Sequence, residues 1–232
     1  MLATVTNPYS WENWVSYFNA LPTFFGGIVY TIAISIGSLI LALILGIIFG
    51  SFSSGKNKFL RFISRAYVEI YQNTPLLVQF MIIYYGLPLI THYVISPSIF
   101  FTAVFSVGLY HGAYISEVIR SGIESIPSGQ TEAALSQGFT ASETMRIIIL
   151  PQAIPAILPP LINQLVSLIK NTATVAIISG MDLMFVTKSW AALNQNYIPA
   201  FAGAAFFYFI MCFPVARLGR RIEEHNKTRY SA

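Results

Sequence analysis

The stretch Thr131-Glu132-Ala133-Ala134-Leu135-Ser136-Gln137-Gly138, with Ile148-Ile149-Leu150-Pro151 after it, lies in the longest polar interruption of a strongly apolar chain. Its position decides the fold. Set between two uncharged apolar segments, it predicts a short cytoplasmic helix outside the bilayer rather than part of a span. Small residues at Ala133, Ala134 and Gly138 leave one helix face thin, so a partner surface can approach the backbone closely. Glu132 is expected in the first turn, where a carboxylate suits the positive end of the helix dipole.

The rest of the sequence supports a membrane reading. Of 232 residues, 55% are hydrophobic and 9% charged, whereas a soluble domain carries about 25% charged residues. Three uncharged stretches, Asn13 to Gly55, Ile147 to Ile169 and Ser189 to Ala216, can each hold a spanning helix of about 20 residues. A fourth, Ile70 to Ser116, holds two, divided by Gly86, Pro88 and Ser96-Pro97-Ser98. The expectation is an all-α membrane protein with five transmembrane helices in a single domain, 1–232. Residues 1–22 form an outer interfacial segment, 123–146 a cytoplasmic loop between spans 3 and 4, and 217–232 a cytoplasmic basic tail.

The net charge of +4 reflects topology rather than a polyanion site. With the amino terminus outside, all but two of the 13 basic residues, Lys170 and Lys188, fall on the cytoplasmic side. The opposite orientation violates the positive-inside rule almost completely, so no nucleic acid partner is expected. The single cysteine, Cys212, sits inside the last span, which makes an intrachain disulfide impossible. The first apolar segment lacks a preceding basic region and runs too long for a removable signal.

Local signals place the helix ends. Trp11, Trp14, Tyr17 and Phe18 recur at helical spacing and predict an interfacial helix. Span 1 runs from about Phe24 to Phe52. Thr74-Pro75 and Ser96-Pro97 read as helix starts. Thr140 with Glu143 makes a capping box that opens span 4. Pro151, Pro155, Pro159 and Pro160 predict that span 4 is bent or broken. Gly50 to Asn57 nearly matches a phosphate-binding loop, but Asn57 has no hydroxyl for magnesium and the segment follows a membrane helix rather than a strand. It reads as a glycine-serine exit from the bilayer.

The spacing E-A-A-x3-G-x9-I-x-L-P, together with His111-Gly112-Ala113-Tyr114 and Lys170-Asn171-Thr172, resembles the permease subunit of bacterial ATP-binding-cassette importers. The polar amino acid branch (type I, histidine/glutamine/arginine permease-like) is the nearest in kind. The resemblance implies the translocation subunit of an importer in the bacterial cytoplasmic membrane, multi-pass, with its carboxyl terminus in the cytoplasm. It implies that Glu132, Ala133, Ala134 and Gly138 couple the chain to ATPase subunits. ATP and magnesium would be held there, with no cofactor, metal site or enzymatic activity in this chain. The other implied partners are an external amino acid-binding protein, a second permease subunit, the polar amino acid cargo and the lipid bilayer.

Polar residues in spans need a partner or a water-filled path. Candidates for a substrate path are His111 and Tyr114 on span 3, with Asn163, Gln164, Lys170, Asn171 and Thr172 on span 4. Each is open to a packing role as well. Glu117 and Arg120, three apart, read as a structural ion pair. Two other classes are weighed: a secondary transporter or channel, against which five spans without inverted halves speak, and a membrane enzyme, against which the scattered His92, His111 and His225 speak.

Overall fold

The computed structural model describes residues 10–55 and 57–230. The first nine residues, Lys56, the side chains of His225, Lys227, Thr228, Arg229 and Tyr230, and residues 231–232 lie outside the described residues, so part of the expected outer segment and basic tail does too. Among the described residues the regular structure is helical throughout. Among the described residues four helices are long and apolar enough to cross a membrane: Leu21–Ser54, Ile99–Glu124, Ala141–Ile178 and Tyr197–Glu224. A fifth crossing arises only when Lys58–Gln72 and Leu76–Ile90 are counted as one span broken at Asn73–Pro75.

Two compact units are distinguished along the chain. The first takes the described residues up to Ser38 with Leu76–Val107 and Leu168–Phe213. It contains α1 (Trp11–Asn19), the start of α2 (Leu21–Ser54), and α4 (Leu76–Met81) with a π turn and α5 (Leu87–Ile90). Its core gathers Tyr17, Phe24 and Leu183 with Trp190 and Phe207 against them. Trp11 and Phe18 are exposed while Tyr17 is buried, so the aromatics of α1 do not share one outward face. Tyr17 is drawn inward by ring contacts with Phe24 and Trp190 at 5.1 and 5.8 Å.

This unit also holds a helix the sequence did not announce, α10 (Leu183–Asn194). It lies against α2 where Gly27 has no Cβ, since one there would stand 2.9 Å from the Leu183 Cα. Thr31 Oγ1 accepts from Leu183 N–H at 3.0 Å. Gln195 ends α10 in the left-handed region, and Asn196 N–H donates back to Ala191 O at 3.0 Å.

The second unit takes Leu39–Pro75, Gly108–Ser167 and the described residues from Pro214. Two glycine pairs organise it. On α2, Gly46 receives Ile115 and Gly50 receives Ile119; on α6 (Ile99–Glu124), Gly108 receives Leu41 and Gly112 receives Leu45 and the Tyr67 hydroxyl. Lipid gives no hydrophobic drive between helices, so this interlocking of small and branched residues supplies dispersion contact instead. Gly50 of the apparent phosphate loop is thus a packing residue. Asn57 is a helix cap whose Oδ1 accepts from Phe59 and Leu60 N–H, opening α3 (Lys58–Gln72).

Two helix starts move. Thr74 Oγ1 donates back to Ile70 O at 2.7 Å, and the helix begins at Leu76. For α6 the hydroxyl accepting from Phe101 N–H is that of Ser98, not Ser96.

Span 4, expected to be bent or broken, is not broken. After the Thr140–Glu143 capping box, α8 (Ala141–Glu143) passes through a π turn at Thr144–Ile149 into α9 (Leu150–Asn171), which continues as a 3-10 turn, Thr172–Ile178. These count as one span despite Pro155, Pro159 and Pro160 inside α9. Pro159 frees the Pro155 carbonyl, and the Asn226 amide of α11 (Tyr197–Tyr230) donates to it at 2.8 Å. A side chain replaces the missing backbone donor, which is how helices in lipid tolerate proline. Replacing Asn226 by leucine leaves that carbonyl unsatisfied and is expected to destabilise the folded protein by about 1–3 kcal/mol. Thermal unfolding in detergent measures it, and an unchanged midpoint would show the bond to be idle.

Candidate functional site

The cytoplasmic-loop candidate folds as α7 (Ser128–Ser136), with Pro127 at its N-cap. Because the helix starts at Ser128, Glu132 falls in the second turn and not the first, and the expected dipole contact is absent. Gly138 lies past the helix end. Its φ of +89° is left-handed, which a residue with a Cβ adopts only at a cost. Gly138 N–H donates to Leu135 O and Phe139 N–H to Ala134 O, both at 3.1 Å. This double closure is a Schellman motif, so the glycine in the E-A-A-x3-G spacing is the helix stop.

The two alanines face different ways. Ala134 is 3% exposed, in a helix that packs against the π turn Thr144–Ile149. Glu132, Ala133 and Gly138 are exposed. The surface open to a partner is therefore Glu132-Ala133 with Gly138 nearby, while Ala134 supports it from behind.

The substrate-path candidates divide between the two units. In the second unit, His111 is buried and its Nδ1 lies 3.3 Å from Gln164 Oε1. Tyr110 and Tyr114 hydroxyls meet at 3.2 Å. Beside this group a cavity of about 500 Å³ is lined by Tyr114 and Gln164 with Gln72, Glu117, Arg120 and Pro160. Asn163, the preceding position on α9, is exposed; about 100° of helical rotation separates it from Gln164. In the first unit, Lys170 is exposed, Asn171 half-buried, and Thr172 buried with its hydroxyl donating to Ile169 O at 2.7 Å.

The expected Glu117–Arg120 pair is present at 2.7 Å, and Arg120 also bonds Glu124. It lines the cavity as well as bracing α6. Gln72 was not singled out from sequence. Its amide donates to Ala113 O at 3.3 Å, an interaction between residues 41 apart that no local pattern reveals. Glu117 and Arg120 read from sequence as a structural pair, and their place on the cavity wall was not foreseen.

Asp182 was also missed. It caps α10 through Oδ2, which accepts from Met184 N–H at 2.9 Å, and is fully buried, with no hydrogen-bond partner for Oδ1 among the described residues. The position lies outside the candidate spans, and burial pushes its carboxyl up to about 7. The folded state holds this proton where the unfolded state has lost it, so stability falls as pH rises toward about 7. Asp182→Asn retains a capping oxygen and removes the ionisation. Its unfolding midpoint should stay flat between about pH 5 and about pH 8, where the parent's declines. Parallel curves would refute the assignment.

Residues 42–227 match the family described as the binding-protein-dependent transport system inner membrane component. The chain belongs to that family. This permease is 38% identical over 212 residues to the L-cystine transport system permease protein TcyB of Bacillus subtilis, covering 91% of this chain and 89% of that one. It is 32% identical over 208 residues to the arginine transport system permease protein ArtQ of Bacillus subtilis, covering 90% and 94%. A chain of an amino acid ABC transporter crystallised with histidines superposes on the permease with a TM-score of 0.83 at 29% identity, over 91% of this chain and 98% of that one.

Proposed function

We propose that this permease is the translocation subunit of an ATP-driven importer of polar amino acids in the bacterial cytoplasmic membrane. The observation that carries this reading is membership of the transport family across residues 42–227, with amino acid permeases as relatives over nine-tenths of the chain. In this reading the amino terminus is outside and the carboxyl terminus inside, placing the basic residues after α2 and along the end of α11 in the cytoplasm. ATP and magnesium act on separate ATPase subunits. An external binding protein delivers cargo, and a second permease subunit completes the path.

The exposed Glu132-Ala133 surface of α7 supports the coupling role. Ala133 lets another protein approach the helix backbone, Glu132 offers a charge for a basic partner, and Gly138 ends the rod so that the chain re-enters span 4 at a fixed angle. Motor closure then moves α7 with the π turn against which Ala134 packs, giving alternating access. For the cargo, the cavity presents a carboxylate at Glu117, a guanidinium at Arg120, and amides at Gln72 and Gln164. These are complementary to an ammonium and a carboxylate. Exposed Asn163 and Lys170 suit a path shared with the second permease. His111 acts by holding Gln164, and Asn171 and Thr172 shape the far end of span 4.

The test is uptake of radiolabelled polar amino acids by vesicles containing the permease, its ATPase and its binding protein. Uptake should require internal ATP and the binding protein together. Uptake driven by an ion gradient without ATP would replace this reading with a secondary transporter.

A further inference from the structure

The α3 helix has three distinct edges. Ser64, Tyr67 and Val68 are buried. Ser64 Oγ donates to Phe49 O at 2.7 Å, Tyr67 OH donates to Leu109 O at 2.6 Å, and the Tyr67 ring stacks on Phe49 at 4.2 Å. That edge anchors the helix. A second edge shows Phe59 and Phe62, 67% and 69% exposed. A third carries Lys58, Arg61 and Arg65, which with Phe62 and the inner part of α6 line an open cavity of about 770 Å³.

The charges in that cavity do not cancel locally. Arg120 is held by Glu117 and Glu124. Arg65 reaches Glu69 at 3.8 Å in a largely exposed pair, which screens weakly. Among the described residues, Lys58 and Arg61 make no ion pair within 4.0 Å, so positive charge remains beside two bare phenylalanines. A soluble anion would satisfy the cations and leave the rings in water. A lipid with a net negative headgroup satisfies both, with phosphate over the cations and acyl chains along the rings.

We propose that Lys58 and Arg61, with Phe62 at the rim, form a binding site for the phosphate of an anionic phospholipid. The occupant is a lipid of the leaflet in which α3 lies. This goes beyond the transport role and holds whichever solute is carried.

The assembled transporter is placed in phosphatidylcholine vesicles containing a trace of photoactivatable phosphatidylglycerol or, separately, photoactivatable phosphatidylcholine. Adducts on the Lys58–Gln72 peptide are then quantified. Phosphatidylglycerol should label it several-fold more strongly. The preference should fall roughly fivefold for each of Lys58→Gln and Arg61→Gln, and the charge-keeping pair Lys58→Arg with Arg61→Lys should retain it. Equal labelling by both lipids would overturn the proposal, as would an unchanged preference in the glutamine variants or a loss in the charge-keeping pair. Full protection by inorganic phosphate at unchanged ionic strength would assign the cavity to a soluble anion instead. None of these readings depends on uptake, so they stand or fall separately from the transport role.

Discussion

Replacing Gly46 by leucine should prevent this protein from reaching its folded state in useful yield. A single Cβ at Gly46 would already overlap the Ile115 side chain and lie 3.3 Å from the Ile115 carbonyl carbon. A leucine adds three more carbons to a space that does not exist. The neighbour cannot swing away, because Ile115 is buried and β-branched. Overpacking typically costs about 1–3 kcal/mol, and here the upper end or more is expected because helix backbone must move. Gly112→Leu should act similarly, driving into Leu45 and displacing the Tyr67 hydroxyl from Leu109 O. The measurement is the fraction of detergent-extracted protein that survives heating. Truncating the opposing residue, Gly46→Leu with Ile115→Ala, should restore part of the loss, since residues in contact couple by about 0.5–3 kcal/mol. Full yield from Gly46→Leu alone would mean the two helices do not approach as described.

The second large effect concerns α7. Ala133→Trp adds an indole to the exposed face of that helix without touching its buried one. ATP-dependent uptake should fall at least about tenfold, equivalent to about 1.4 kcal/mol of lost coupling, while thermal stability stays unchanged. Ala134→Trp should behave oppositely and damage the fold itself, because that position is 3% exposed. Cysteine at Ala133 should cross-link to the ATPase in the intact complex. Normal uptake by Ala133→Trp, or absence of any cross-link there, would remove coupling from this helix.

What was legible in the sequence was what neighbouring residues decide among themselves. Thr140 and Glu143 close their box within one turn, Glu117 and Arg120 meet within three residues, and long uncharged runs become long helices. What was not legible depends on partners far along the chain. The prolines of span 4 predict a bend or break only if nothing replaces their missing donors, and for Pro159 Asn226 does so from 71 residues away. Glu132 was assigned one turn too early because no strong cap marks Ser128. The α10 helix was hidden because Lys188 interrupts its apolar run and Gln195 and Asn196 end it without glycine or proline. Asp182 drew no reading from sequence, and its burial follows from the packing of the neighbouring Leu183 on α2. Of the candidate path residues, Tyr114 and Gln164 meet at one cavity. Asn163 shares α9 with Gln164 but faces elsewhere, a distinction that requires knowing the rotation of that helix.

The bond from Asn226 to Pro155 also imposes an order on biosynthesis. The ribosome must add 71 further residues before that carbonyl finds its donor. Until then the Pro155 carbonyl of the nascent fourth crossing lacks its side-chain donor. Placement of the final helix therefore completes an earlier one as well.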